Sequence, residues 1–190
     1  MPDIDDPRLF APQCSRLIPV ETVHENPWFA VRNRGGYFTI EYDFPQVAVM
    51  PVVENHSIVM VRAKRPVLND VCLELPAGGA MDGEMPVQSA ARELAEETGI
   101  EIQDLSRFEM LLPISVSPNR NPNLAHIFQI HISMTEYEMR KEHDKEIESV
   151  ELFSLDEIQR MICEGKIYIS LPIAVISRYL ILNKIQIEER

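Results

Sequence analysis

The segment from Pro86 to Thr98 constrains the fold more than any other part of this 190-residue chain. Small and apolar side chains recur along it at three- and four-residue spacing, namely Val87, Ala90, Ala91 and Leu94. Such a stripe predicts a helix with one face packed on a sheet. Proline suits the first helical position, and Gly99 suits the left-handed residue that ends a helix. The sequence therefore predicts a helix over residues 86–98 with a defined start and end.

Three glutamates occupy the other face of this helix. Glu93, Glu96 and Glu97 stand at positions i, i+3 and i+4, so their side chains point the same way. Carboxylates this close repel one another unless they are solvated, protonated or neutralised by a cation. An all-oxygen cluster suits Mg²⁺ or Mn²⁺, and the neighbouring Arg92 can fix one carboxylate through a bidentate pair. Upstream, a tight turn with small side chains can bring a backbone carbonyl, that of Ala77, to the same ion.

The charge of the chain is concentrated in two places. The formal net charge is −12, and residues 82–104, with seven acids and one base, carry −6 of it. Residues 136–157, with nine acids and three bases, carry the other −6, while the remaining 145 residues have 14 charges of each sign. General nucleic-acid binding and polybasic docking on an anionic membrane both require a basic surface, so both are excluded. An anionic small molecule held through a metal ion stays compatible with this pattern.

The rest of the chain predicts a run of strands followed by two helices. Alternating or β-branched segments predict strands over Tyr37–Tyr42, Gln46–Val53, Ser57–Arg62, Cys72–Leu75, Phe108–Ile114, Ala125–Ile132 and Glu148–Phe153. Asn55-His56 is a plausible hairpin turn. A capping box at Ser154 opens a helix that stops at Gly165, and a last helix runs from about Pro172 to Lys184. We expect an α/β/α layered domain over residues 44–190.

Prolines break any long helix near the N-terminus, so residues 1–43 predict an arm with short β-strands. The first residues lack the basic and then apolar order of a secretory signal, and no stretch approaches a membrane span. The three cysteines, Cys14, Cys72 and Cys163, are widely spaced and predict free thiols in a reducing compartment. Together these features predict a cytoplasmic protein.

The segment around the glutamate helix resembles the Nudix box in full. It consists of Gly78, five residues, Glu84, seven residues, and then R-E-L-A-E-E-T-G-I from Arg92 to Ile100. Just before it, Glu74 to Gly78 is similar to the E-L-P-A-G lead-in of the ADP-ribose and nucleoside-diphosphate-sugar pyrophosphatase branch. Weaker similarities to that branch lie at Val61–Pro66, His24–Phe29, Ser117-Pro118 and Glu164–Ile167 and in the last helix.

This resemblance implies a Nudix fold, an α/β/α sandwich with a mixed β-sheet. It also implies Mg²⁺- or Mn²⁺-dependent hydrolysis of ADP-ribose or another nucleoside-diphosphate sugar to a nucleoside monophosphate and a sugar phosphate. By resemblance, Glu93 and Glu97 are direct metal ligands, Glu96 is a direct or water-mediated ligand, and the Ala77 carbonyl completes the set. The N-terminal arms of two subunits pair in this branch, so a homodimer is expected.

The resemblance places the general base on a mobile loop after the strands. In this chain that loop holds Glu142, His143, Asp144 and Glu146. Glu146 is our first choice, Glu142 the second and Asp144 the third, since spacing alone does not decide among them. His143 is a further candidate, because a histidine titrates near neutral pH.

Six residues are predicted to bind the substrate: Arg62, Arg65, Glu74, Trp28, Pro118 and Arg120. The arginines suit phosphate groups, and Trp28 can stack on the base or pack at a dimer interface. The branch usually has a glutamate where this chain has Asn123, so another sugar or base is possible. The alternatives are hydrolysis of dinucleoside polyphosphates or nucleoside triphosphates and, third, a non-catalytic sensor of the same fold.

Overall fold

The computed structural model of the chain describes residues 6–9 and 13–188. Residues 1–5 and 10–12 of the predicted arm, and residues 189–190 of the predicted domain, lie outside the described part. The strands are β1 (Val20–Glu25), β2 (Ala30–Arg34), β3 (Tyr37–Glu41), β4 (Gln46–Val53), β5 (Ser57–Arg65), β6 (Asp70–Glu74), β7 (Ala77–Gly79), β8 (Glu109–Ile114), β9 (Ala125–Ile132) and β10 (Ile147–Ser154). The α-helices are α1 (Pro86–Thr98), α2 (Met134–Glu138), α3 (Leu155–Cys163) and α4 (Ser170–Glu188).

A seven-stranded mixed sheet forms the centre of the domain. Its strand order is β10-β5-β4-β9-β8, with β6 added to β5 and β7 added to β4. β4 and β9 are parallel, from the pair Val47 and His126 to the pair Val53 and Ile132, and the other pairs are antiparallel. The predicted mixed sheet is therefore confirmed.

Both faces of this sheet are covered by helices. On one face Ala90 and Leu94 of α1 share a buried cluster with Val47, Val49 and Val53. On the other face the helices α3 and α4 pack on the intervening positions of the same strand, with Met50, Val52, Ile158, Val175 and Ile176 in the second cluster. Each fully buried side chain of this kind contributes about 1.5–3 kcal/mol of transfer free energy. The alternation along β4 therefore produces the predicted α/β/α layers and fixes α1 on one side.

The arm forms a separate antiparallel sheet in the order β1-β2-β3. Strand β3 buries its polar residues and exposes its apolar ones, which is the reverse of the usual arrangement in a half-buried strand. Thr39 and Glu41 are buried, while Phe38 and Ile40 are 50% and 38% exposed. Glu41 accepts from Arg34, with Nε to Oε1 at 2.6 Å and Nη2 to Oε2 at 2.9 Å. The ion pair satisfies the inward carboxylate, and the apolar side of the strand faces outward.

Several local predictions are corrected by the structure. The segment Ala77–Gly79, predicted as a tight turn, is the short strand β7 paired with β4, from Gln46 and Gly79 to Ala48 and Ala77. The hairpin turn after β4 is centred one residue early, on Glu54 and Asn55, which both have positive φ. Helix α2 was not predicted. No helix of the described residues is both long and apolar enough to cross a bilayer.

Candidate active site

Helix α1 has the bounds that its sequence predicts. Pro86 is its first residue, and the side chain of Gln88 accepts from the backbone N–H of Met85 at 2.9 Å. Gly99 follows the helix with φ of +74° and donates its N–H to the Ala95 carbonyl at 2.8 Å. The last two turns of α1 are thereby held in a fixed orientation, and they carry all three clustered glutamates.

Arg92 connects most of the acidic groups around the helix. Its Nη1 donates to Glu93 Oε1 and to Glu96 Oε2, both at 2.8 Å. Its bidentate partner is Glu84, with Nε to Oε1 at 3.0 Å and Nη2 to Oε2 at 3.1 Å, and Nη2 also donates to the Gly79 carbonyl at 2.8 Å. The predicted bidentate pair therefore exists, although its carboxylate is Glu84, which lies outside the predicted site. The same hydrogen bonds hold the pKa of Glu84 below its usual range.

Glu93 is buried against β7 rather than directed into open solvent. A Cβ at Gly78 would overlap the carboxyl group of Glu93, so only glycine leaves this space. Burial raises the pKa of Glu93, and the hydrogen bond from Arg92 opposes that rise. Gly78, the first residue of the box, therefore leaves the space that the Glu93 carboxyl group occupies; we call this space the Gly78 seat.

Glu97 lies one turn further along, at the junction of α1 and β7. Its Oε2 accepts from the backbone N–H of Ala77 at 3.0 Å. Burial raises the pKa of Glu97 to about 7, while the Ala77 hydrogen bond acts in the opposite direction. Arg65 and Glu74 are close enough to influence this pKa, and they form their own ion pair, with Nε to Oε1 at 2.7 Å.

The donor set fits a hard divalent cation in its chemistry. All the side-chain donors are carboxylate oxygens, as Mg²⁺ and Mn²⁺ prefer, and two of the three, Glu93 and Glu97, are desolvated. Within the described residues, no three acidic, histidine or cysteine side chains already converge as a metal site. The reason is visible in the hydrogen bonds, because Arg92 holds Glu93 and Glu96 while Ala77 holds Glu97. Binding a cation would thus exchange some of these contacts for metal contacts.

The loop predicted to supply the base passes over the end of α1. We call residues 141–146 the strap. The N–H of Lys141 donates to the Gly99 carbonyl at 2.9 Å, and the N–H of Asp144 donates to the Glu96 carbonyl at 2.8 Å. At its other end the Glu146 carbonyl accepts from the Lys64 N–H on β5 at 3.1 Å. The strap acids are exposed, and this clamp to the end of α1 uses backbone groups and not their carboxylates.

Two of the predicted residues share a cavity beside this clamp. The cavity measures 480 Å³ and contains both Arg65 and Glu146, and its other lining residues are Lys64, Pro66, Val67, Leu68 and Lys145. Glu142 and His143 line a different cleft, together with Glu138, Arg140 and Lys141. Glu146 and Glu142 therefore line two different cavities. Of these two, only the cavity lined by Glu146 is also lined by Arg65.

The other predicted substrate contacts are dispersed. Arg62 pairs with Glu151, and Trp28, at the turn between β1 and β2, is 76% exposed. Pro118 and Arg120 lie in an exposed turn after β8, where the Arg120 carbonyl accepts from the N–H of Ile40 at 2.7 Å. This hydrogen bond joins the turn to the arm sheet. Neither Trp28 nor the Arg120 side chain contacts the glutamate cluster.

Sequence reasoning missed a second cavity, of 250 Å³, next to the Gly78 seat. Its lining residues are Tyr42, Gln46, Val47, Ala77, Gly78, Val116, Asn121, Asn123, Ala125 and Leu171. None of these side chains is an acid or a base that is charged at neutral pH. Asn123 supports the wall, because its Nδ2 donates to the Tyr42 carbonyl at 3.4 Å and its Oδ1 accepts from the Tyr42 N–H at 3.3 Å. The Asn-rich run from 119 to 123 was the available signal.

Comparison with known proteins gives a consistent result. A family model described as the NUDIX domain matches residues 44–169. The chain is 34% identical over 123 residues to a protein of Bacillus methanolicus named methanol dehydrogenase activator, and the match covers 64% of each. It therefore spans slightly less than two thirds of that relative's length. It is 29% identical over 168 residues to the ADP-ribose pyrophosphatase of Mycobacterium tuberculosis, covering 83% of this chain and 79% of that one.

A solved structure supports the fold in particular. The crystal structure titled as that of an ADP compounds hydrolase superposes with a TM-score of 0.65 at 17% identity. The superposition covers 88% of this chain and 94% of the other. At this identity the likeness concerns the architecture and not the choice of substrate.

Proposed function

The chain belongs to the NUDIX domain family, and on that premise we propose that it is a Mg²⁺- or Mn²⁺-dependent pyrophosphohydrolase. Its substrate is a nucleoside diphosphate linked to a sugar, ADP-ribose or a near relative, and its products are a nucleoside monophosphate and a sugar phosphate. The observation that carries this proposal is the junction of α1 and β7. There Glu93, Glu96 and Glu97 are held beside a strap of further acids.

In this proposal the three glutamates and the Ala77 carbonyl hold the cation. When bound, the cation neutralises charge on the phosphoryl oxygens and favours deprotonation of water. Arg92 keeps Glu93 and Glu96 oriented, and Glu84 in turn keeps Arg92 in place. Arg65 adds a positive charge near Glu97, which suits the negative diphosphate.

The proposed reaction is attack by water on one phosphorus of the diphosphate, which breaks the bond to the bridging oxygen. The carboxylate of Glu146 accepts a proton from that water. Glu146 is favoured over Glu142 because it shares a cavity with Arg65, and Arg65 lies near Glu97. Glu142 lines the separate cleft with Arg140. The site therefore needs no protein nucleophile and no covalent intermediate.

The sugar part of the proposal is supported by the uncharged cavity beside Gly78. Gln46, Asn121 and Tyr42 line it, and the amide and hydroxyl groups of such side chains can donate to and accept from sugar hydroxyls. A further phosphate placed there would lose hydration without gaining a cation partner. The cavity thus favours a nucleotide sugar over a nucleoside triphosphate or a dinucleoside polyphosphate.

We also propose that the protein acts as a homodimer paired through its arms. The large apolar side chains exposed on residues 18–44 are Ile18, Val20, Val23, Trp28, Tyr37, Phe38, Ile40 and Phe44. Monomeric proteins rarely expose apolar side chains in such number on one element. A second copy of the same sheet would cover the outward face of β3, which carries Phe38 and Ile40, and this also explains why β3 buries Glu41 and exposes Phe38.

The proposed compartment is the cytoplasm. Cys14, Cys72 and Cys163 are free thiols in the structure. Free thiols persist where glutathione keeps cysteines reduced.

A substrate panel tests the proposed activity. ADP-ribose, other ADP-, UDP- and GDP-sugars, diadenosine polyphosphates and deoxynucleoside triphosphates are each incubated with Mg²⁺ or Mn²⁺, and the products are identified. We expect cleavage of at least one nucleotide sugar, lost by several orders of magnitude in Glu97→Gln. The matched control is Glu164→Gln, since Glu164 is an exposed partner of Lys166 outside both the cluster and the strap. Turnover of triphosphates with no cleavage of any nucleotide sugar would overturn the proposal.

The name of the Bacillus methanolicus relative favours a second candidate, action on a methanol dehydrogenase. The same glutamate site would carry out that role, since no other cluster of three acids in the described residues is fixed by one arginine. The test adds the protein to a methanol dehydrogenase and measures alcohol oxidation with wild type and with Glu97→Gln. If wild type and Glu97→Gln stimulated alcohol oxidation equally, the action on the dehydrogenase would not depend on hydrolysis at the glutamate site.

A further inference from the structure

The C-terminal end of α1 and the strap are joined more closely than the hydrogen bonds alone imply. Lys141 donates its N–H to the Gly99 carbonyl at 2.9 Å. A Cβ at Gly99 would overlap the carbonyl oxygen of Lys141 and would lie 2.6 Å from its carbonyl carbon. The strap backbone therefore occupies the volume that any other residue at position 99 would need.

Gly99 is thus constrained twice. Its φ of +74° is a left-handed conformation that glycine adopts without strain, and many helices end on such a residue for that reason alone. Gly165 after α3 shows the ordinary case, because its φ is +71° but a Cβ there would meet no atom within 4 Å. The two glycines share a backbone role and differ in what lies against them.

The second contact of the strap is placed one turn earlier on the same helix. Asp144 donates its N–H to the Glu96 carbonyl at 2.8 Å. Glu96 and its neighbour Glu97 belong to the proposed metal cluster, so the strap is fastened to the backbone that carries those carboxylates. From there it continues to Glu146 and joins β5 through Lys64.

We propose that Gly99 is a positioning residue for the hydrolytic reaction, because its missing side chain lets the strap dock on α1 and sets the base-bearing strap relative to the metal-binding glutamates. This inference rests on the proposed function, in which a strap acid accepts the proton from water. A displacement of about 1 Å between catalytic groups can cost about 100-fold in rate. Gly99 itself touches neither substrate nor metal.

The test compares Gly99→Ala with Gly165→Ala. Both variants place a Cβ on a left-handed residue after a helix, but only Gly99→Ala displaces the strap. We expect kcat about 100-fold lower for Gly99→Ala, with KM and Mn²⁺ affinity within about twofold of wild type, and little change for Gly165→Ala. Faster amide hydrogen exchange is expected at Lys141 and Asp144 in Gly99→Ala alone. Equal kcat in the two variants, or unchanged exchange at both amides, would overturn the inference.

A double-mutant cycle distinguishes positioning from general damage. In a Glu146→Gln background the base is already lost, so Gly99→Ala should lower kcat little further. Full additivity of the two changes would contradict a role through the strap. If the wild-type enzyme cleaves no nucleotide sugar, the proposed function fails, while the exchange measurement still decides whether Gly99 seats the strap.

A second pair of variants acts from the strap side, and it decides the question if Gly99→Ala does not fold. Asp144→Asn removes the carboxylate and keeps the N–H that donates to Glu96, whereas Asp144→Pro removes that N–H as well. We expect kcat at least about tenfold lower in Asp144→Pro than in Asp144→Asn. Equal rates would show that the hydrogen bond to the helix does not position the strap.

Discussion

The backbone N–H of Ala77 donates to Oε2 of Glu97 across 3.0 Å, which joins the short strand β7 to the last turn of α1. The carboxyl group that accepts this bond is partly withdrawn from water, and burial raises its pKa to about 7. One hydrogen bond does not replace the water that such a carboxylate loses. In the absence of a cation, the ionised carboxylate of Glu97 therefore destabilises the folded state at alkaline pH.

The metal-free protein should lose stability as the pH rises through Glu97. The pKa of Glu97 is about 7 in the folded state and 4.5 by default. Between these pH values the folded state therefore binds more protons than the unfolded state, so the free energy of unfolding falls as the pH rises and Glu97 loses its proton. The difference corresponds to roughly 3 kcal/mol at most. In EDTA, Glu97→Gln should melt above wild type at pH 8 and together with it near pH 4. Parallel melting curves across this range would refute the pKa assignment.

Gly78→Ala should lower metal affinity and activity by displacing Glu93. The new Cβ would overlap the Glu93 carboxyl group, so this carboxylate must leave its seat. We expect Mn²⁺ affinity and kcat to fall by at least about tenfold each, measured by calorimetry and product release. Gly79→Ala is the matched control, because its Cβ would lie 3.2 Å from the flexible end of Gln46. Equal Mn²⁺ affinity and kcat in the two variants would contradict the conclusion that the space at Gly78 holds the Glu93 carboxylate.

Charge placed in the uncharged cavity should lower activity on the preferred nucleotide sugar. Asn121→Asp adds a negative group next to Gly78 and the glutamate cluster, where it would repel the diphosphate. We expect kcat/KM for the preferred nucleotide sugar to fall about tenfold or more, since one unpaired charge costs at least ~1.4 kcal/mol in such a site. Asn119→Asp, which adds the same charge at an exposed position of the same turn, is the control. An equal effect of both changes would mean long-range repulsion and not a sugar contact.

Phe38→Asp should dissociate the proposed dimer. Phe38 is 50% exposed in the single chain, and a charge on this face would remain unpaired when a second arm covers it. Sedimentation analysis should give a monomer, and the fluorescence of Trp28, the only tryptophan, should report the change in its surroundings. Met139→Asp, at a side chain that is 77% exposed and follows helix α2 instead of belonging to the arm, should leave the oligomer intact. A wild-type monomer would overturn the dimer proposal directly.

Substrate affinity should depend steeply on divalent cations. Both the glutamate helix and the strap belong to segments of −6 net charge, and the substrate is itself an anion. Equilibrium binding of a non-hydrolysable nucleotide-sugar analogue should weaken at least about tenfold in EDTA. Replacing Mg²⁺ by Na⁺ at equal ionic strength controls for screening. Equal affinity with and without the cation would count against the metal assignment.

The catalytic helix was predictable from sequence because its signals are local. The bounds of α1, the Gly99 cap and the shared direction of its glutamates all follow from spacing within 14 residues. Strands β4 and β9 were predicted with their observed bounds because continuous β-branched segments suit burial on both faces. Their sequence signals could be recognised without information from distant parts of the chain.

Features that depend on a neighbouring strand were missed or reversed. The inward side of β3 is decided by Arg34, which pairs with Glu41, and alternation alone points the other way. Strand β7 exists because β4 offers it a partner. For helix α2 a local signal exists, the capping box of Ser133 and Glu136, but five residues are too few to show an apolar stripe at helical spacing.

The pairing of β4 with β9 has a consequence for how the chain reaches its fold. Val47 and His126 are neighbours in the sheet, although almost eighty residues are synthesised between them. Until β9 emerges from the ribosome, the parallel edge of β4 has no partner, and α4, which covers the opposite face, is still later. Nascent chains that end before Ala125 should therefore require a chaperone or remain prone to aggregation.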